Sequence, residues 1–148
     1  MNKDNQQVKD LFELGWISAI IDGEGWLIFN KQLLPSKNFR YVPVVGMNNT
    51  SLKIADNMEN ILKRWEIGLW RGKRNFINPN HKSQYVINVR GFKRVKKLLD
   101  IITPYLIDKK EQAEIMVEYI QYRESLPLKS ACGEKEESFR QRIIELNK

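Results

Sequence analysis

The stretch "LGWISAIIDGEGWLIFN", residues 14 to 30, decides the fold. A mostly apolar run stops abruptly at Asp22-Gly23-Glu24-Gly25, and an aromatic, β-branched run begins at Trp26. Upstream, Val8, Leu11, Phe12, Leu14, Trp16, Ile17, Ala19, Ile20 and Ile21 make residues 8 to 22 a helix with too many apolar positions for one stripe. Such a helix must be covered on more than one side. Downstream, residues 26 to 33 and 40 to 47 are rich in strand formers, and Pro-Ser-Lys-Asn between them suits a hairpin turn.

The pattern continues in kind. Asn49, Thr50 and Ser51 offer N-cap side chains ahead of a helical-period segment from Leu52 to Trp65. Residues 67 to 76 and 83 to 90 flank a turn-rich segment and form a second hairpin, and residues 92 to 102 form a third helix. Pro104 interrupts; helices follow from Asp108 to Glu124 and from Glu134 to Leu146. Two hairpins separated by a helix predict one α+β domain over residues 1 to 148, with four strands in one sheet and helices on one face. The free face carries polar side chains interleaved with apolar ones: Asn30, Gln32, Arg40, Arg71, Lys73, Gln84, Asn88 and Arg90. Amides and guanidiniums are the groups that read base edges in a major groove, although a solvated sheet face also carries polar residues.

Composition narrows the function. The 148 residues carry 25 Lys and Arg against 18 Asp and Glu, a net charge of +7, with most of the excess in residues 31 to 97. That favours a polyanionic partner, nucleic acid before membrane. The longest uncharged apolar run, Leu14 to Ile21, is far short of the roughly 20 residues of a bilayer span. With no charged-then-apolar signal pattern at the start and no transit peptide, an intracellular protein is expected, in prokaryotic cytoplasm or an organelle. One cysteine, Cys132, and one histidine, His81, cannot build a zinc site, so any metal must be held by oxygens. No small-molecule cofactor is expected.

On the first helix Gly15, Ser18, Ala19 and Asp22 share one face, three of them small, and this reads as a seam for close helix approach. With no second copy in the chain, a two-fold related molecule is the partner expected. A carboxylate at a helix C-terminus meets the negative end of the macrodipole, an unfavourable placement by up to about 1 kcal/mol. Two of them across a dyad repel by roughly 3 kcal/mol at about 6 Å and an effective dielectric of 20. A divalent cation relieves both.

Residues 17 to 25, Ile-Ser-Ala-Ile-Ile-Asp-Gly-Glu-Gly, resemble the nine-residue motif of the LAGLIDADG homing endonucleases, differing at Ser18 and Ala19 and with Glu24 in place of an aspartate. "TPYLIDKKEQAE", residues 103 to 114, resembles that family's second signature. The resemblance spans about residues 10 to 128 and implies an αββαββα fold, a sheet saddle over DNA, and a homodimer packed through the motif helices, here residues 8 to 24. It implies a site-specific, intron-encoded type of endonuclease that cuts both strands of a long, near-palindromic double-stranded DNA site with Mg²⁺ or Mn²⁺, Ca²⁺ binding without supporting cleavage. In the site it implies, Glu24 and the Gly23 carbonyl hold metal. Asn49, or its neighbour Asn48, orients water. Lys53 matches a basic residue of the peripheral site, and Lys109, or the adjacent Lys110, stabilises developing charge at the phosphate or polarises a water. Asp22 is more structural. The rivals are an RNA-binding intron maturase of the same fold, tolerant of losing Glu24, and a DNA-binding regulator indifferent to Mg²⁺.

Overall fold

The computed structural model describes residues 2 to 148. Its order is α1 (Lys3–Glu24), β1 (Gly25–Leu33), β2 (Phe39–Asn49), α2 (Leu52–Arg64), β3 (Trp70–Arg74), β4 (Gln84–Arg90) and α3 (Phe92–Ile102). A short 3₁₀ turn (Thr103–Tyr105), α4 (Lys110–Glu124) and α5 (Glu134–Leu146) follow. The four strands form one antiparallel sheet in the order β1-β2-β4-β3, so each hairpin contributes its second strand to the centre.

Alternation sorts the strand side chains onto two faces. Leu27 and Phe29 of β1, Tyr41, Val45 and Met47 of β2, and Ile87 and Val89 of β4 point into the main core. There they meet Ile17 and Ile21 of α1, Met58, Ile61 and Leu62 of α2, Leu98 and Leu99 of α3, Met116, Tyr119 and Ile120 of α4, and Phe139 and Ile143 of α5. The α+β sheet-and-helix architecture expected from the pattern of periods is the one observed. Element ends differ slightly: α1 begins five residues before Val8, since Lys3 to Gln7 are helix formers or tolerated there. The third strand shrinks to five residues, because Ile67 is drawn into the core before the strand begins.

The long helix α1 is covered unevenly. Leu14, Ile17 and Ile21 are buried, and buried Glu13 is held by Arg64 at 2.6 Å and by the Trp65 indole N–H at 3.1 Å. Val8, Leu11 and Phe12 are exposed at 67%, 50% and 70%. Among the described residues no helix is long and apolar enough to cross a membrane.

Candidate functional site

Gly25 explains how the helix can stop and the strand start without a connecting loop. A Cβ there would sit 2.7 Å from the Ile21 carbonyl oxygen and 2.9 Å from that of Gly46, so only glycine lets β1 leave directly beneath the end of α1. The end of the helix is thereby fixed to the rim of the sheet. β2 runs two residues past its Gly25–Met47 pair and carries Asn48 and Asn49 alongside that end.

Asp22 fastens a third element to the same point. Its carboxylate accepts hydrogen bonds from the backbone N–H groups of Ile107 at 2.8 Å and Lys109 at 3.0 Å. The Lys109 ammonium in turn donates to the Asp22 carbonyl. Lys109 is therefore held against the last turn of α1 with its side chain only 15% exposed, and it lies 3.5 Å from Asp108. Lys110 instead lines a separate cleft with Thr103, Pro104 and Glu114. Glu24 and Gly23 are exposed, and the Glu24 carboxylate has no hydrogen bond or ion pair among the described residues. The adjoining asparagines divide: Asn49 turns its oxygen to the Ser51 N–H at 2.7 Å, whereas Asn48 donates to Gln84 at 2.8 Å across the sheet. Lys53 is exposed in the first turn of α2.

The placements correct two groups of expectations. Of the seam residues, Gly15 and Ala19 are exposed, but Ser18 is buried and donates to the Leu14 carbonyl at 2.7 Å, within 3.4 Å of the Ile102 carbonyl. Ser18 thus faces α3, and Asp22 is occupied as a clamp. The exposed face of α1 is Val8, Leu11, Phe12, Gly15 and Ala19, an i, i+3, i+4, i+7, i+11 stripe.

The second correction concerns the sheet. Register puts Arg71 opposite core residue Ile87 and Lys73 opposite Tyr85, on the helix-bearing face. Arg71 pairs with Glu59 at 2.5 Å and Asp56 at 2.7 Å on α2 and holds the Glu59 carboxyl below its usual range, Lys63 adding to the effect. Ion pairs to α2 do here what an apolar contact does elsewhere. The free face of β3 is Trp70, Gly72 and Arg74.

Register arranges that face in cross-strand rows: Gln84–Arg74, Asn48–Val86–Gly72, Trp26–Gly46–Asn88–Trp70, Ile28–Val44–Arg90, Asn30–Val42 and Gln32–Arg40. Asn30, Gln32, Arg40, Gln84 and Asn88 lie where alternation predicts. Arg90 lies there too, as the alternation of β4 predicts, whereas Arg74 and the two tryptophans were not expected there. The Asn88 amide oxygen is buried beside Gly46 without a partner among the described residues, which leaves its amine as the group that can face outward.

The donors at the end of α1 fit a hard divalent cation: an unpaired carboxylate and a neighbouring backbone carbonyl, all oxygen. One chain supplies a partial set, and among the described residues no three His, Cys, Asp or Glu side chains gather as a metal cluster.

No sequence-family model matches the chain, and no curated protein matches it. Solved structures do. The homing endonuclease I-CvuI, bound to the I-CreI target in 2 mM Mg with the DNA not cleaved, superposes with a TM-score of 0.68 at 15% identity, over 93% of this chain and 83% of that one. The archaeal intron-encoded homing endonuclease I-Vdi141I, complexed with DNA, gives 0.55 at 18% identity over 96% and 98%. The LAGLIDADG homing endonuclease I-SmaMI, bound to cleaved DNA, gives 0.58 at 13% identity over 90% of this chain but 40% of that one. The chain has the fold of the LAGLIDADG homing endonucleases.

Proposed function

We propose that the protein is a metal-dependent, site-specific DNA endonuclease of the intron-encoded homing type, working as a homodimer that cuts both strands of a long, pseudo-palindromic site. The observation that supports the reading is the exposed, unpaired Glu24 carboxylate at the end of α1, where Gly25 ties the helix to the sheet and Lys109 is clamped against Asp22 two residues earlier. A fold alone does not define a reaction, and it is this group of residues that supports the nuclease reading.

The dimer follows from α1. Gly15 lies in mid-helix, where glycine is disfavoured by about 1 kcal/mol against alanine, yet a Cβ there would meet nothing within 4 Å in its own chain. The glycine serves something outside the chain, and a second α1 laid along the Val8, Leu11, Phe12, Gly15 and Ala19 stripe covers it. A two-fold then brings two Glu24 carboxylates to one region.

Glu24 and the Gly23 carbonyl would hold a divalent cation such as Mg²⁺, which when bound would supply Lewis acidity and an activated water for phosphodiester hydrolysis. The chain's own groups do the rest. The Lys109 ammonium, positioned by Asp22, stabilises charge that develops on the phosphate. Asn49, whose oxygen is engaged by Ser51, has only its amine left to orient water. Lys53 adds positive charge at the periphery. Asn30, Gln32, Arg40, Gln84, Asn88 and Arg90 face the groove as candidates for base contact, and a dimer carrying twice the +7 net charge binds phosphates with steep salt dependence.

The reading is tested by incubating the protein with the duplex that joins the sequences flanking its reading frame. Double-strand cleavage with Mg²⁺ and none with a chelator supports it. Binding without cleavage at any metal concentration overturns the endonuclease and leaves a binding protein; assistance to splicing of the corresponding RNA marks the maturase.

A further inference from the structure

The free sheet face carries an apolar strip, Trp26, Ile28, Val42 and Val44, among the amides and guanidiniums of Asn30, Gln32, Arg40, Gln84, Asn88 and Arg90. Ile28 is 40% exposed there, across from Val44 and one position along the strand face from Trp26. Val42 and Val44 are only 4% and 6% exposed yet lie outside the main core, so they form a small apolar floor of their own on this face. Trp26 lies over Gly46, where any Cβ would strike its ring, and Trp70 lies over Gly72 in the same way. Ile28 stands on the Val44 side of this floor, with Arg90 at the far end of its row.

The edges of base pairs in a major groove offer one apolar group, the thymine C5-methyl. The other groups in the Trp26 and Ile28 rows limit what else can be read: Asn88 shows a single donor edge, and Arg90 is the one guanidinium. Resting on the DNA-binding reading above, we propose that Ile28 is a specificity-determining residue that selects thymine at an inner position of each half-site by packing against its C5-methyl. Ile28 is four residues beyond Glu24. At roughly 3.3 Å per strand residue and 3.4 Å per base pair, the thymine lies about four pairs from the cut.

The test begins with a pool of randomised duplexes, from which the full-length protein selects its bound sequences. In a selected duplex, each thymine is then replaced singly by deoxyuridine, which removes only the methyl group. One inner position per half-site should lose about fourfold in affinity, the weight of one buried methyl. Ile28→Ser should bring the thymine-to-uracil affinity ratio at that position to about one, and Ile28→Val should keep most of it. Uracil tolerated equally at every position overturns the proposal while leaving DNA binding intact, as does a uracil penalty that Ile28→Ser does not reduce. Failure to select any sequence overturns the DNA-binding reading, and this proposal with it.

Discussion

The carboxylate of Asp22 receives the backbone N–H of Lys109, and the ammonium of Lys109 is given back to the carbonyl of Asp22. This reciprocal contact joins residues 87 positions apart and fixes a cation against the last turn of α1. Charge-assisted hydrogen bonds to a carboxylate are worth more than neutral ones. Asp22→Ala leaves two backbone donors without their acceptor and should cost about 2 to 3 kcal/mol in urea unfolding. Cleavage should fall further than stability explains, since Lys109 loses its anchor.

Arg71 and Arg90 sit on opposite faces of one sheet and should separate stability from binding. Arg71→Ala leaves Glu59 and Asp56 facing one another across a gap and should destabilise by about 1 to 2 kcal/mol. The slope of DNA affinity against salt should not move. Arg90→Ala should leave the unfolding midpoint within error and weaken binding by about tenfold or more, whether its contact is to a guanine edge or a phosphate.

Gly15 tests the helix seam. Gly15→Leu has room for its Cβ in the single chain and gains helix propensity, so it should keep or raise thermal stability at low concentration. Sedimentation should show a dimer dissociating at least tenfold more readily than the parent. A monomeric parent, or an unchanged dimer in the variant, contradicts the packing of α1 on α1.

The α5 helix is clipped to the sheet by Glu137, which accepts from Tyr41 and pairs with Lys31 and Arg140 at 3.0 and 2.9 Å. Partial burial pushes its carboxyl up, but hydrogen bonds from Tyr41, Gln141, Lys31 and Arg140 outweigh that and bring it to about 2. The folded value lies below the unfolded one, so the stabilisation is full above the ordinary carboxylate range and is lost as pH falls from there through about 2. After allowance for solvent screening it is on the order of 1 to 2 kcal/mol. Glu137→Gln should lower stability at pH 7 and flatten this part of the decline between pH 5 and 3, read by urea titration.

Much of this was legible in the residues. The change from helical to alternating period at Gly25 marks the first helix and strand, and the recurrence of hairpin and helix gives the sheet. The faces of β4 follow from Tyr85, Ile87 and Val89 at every second position, and those of β1 and β2, whose apolar runs are continuous, from the polar positions Asn30, Gln32 and Arg40. β3 did not announce its faces, because its inward positions are Arg71 and Lys73 and its one large apolar residue, Trp70, points outward. An inward arginine is stable only with Asp56 and Glu59, which lie on a different element. Ser18 escaped for a similar reason: a small residue on a helix suits either another helix of the same chain or one from outside, and contact with Ile102 decides.

The central claim is that Glu24 is the metal-binding acid of a DNA-cutting centre. The most direct measurement is cleavage of a bound duplex by the parent and Glu24→Gln across a Mg²⁺ titration, with circular dichroism to show that both are folded. The account predicts Mg²⁺-dependent double-strand cutting by the parent and a loss of at least a hundredfold in the variant. Equal cutting by both, or none by either on a duplex that both bind, would contradict it.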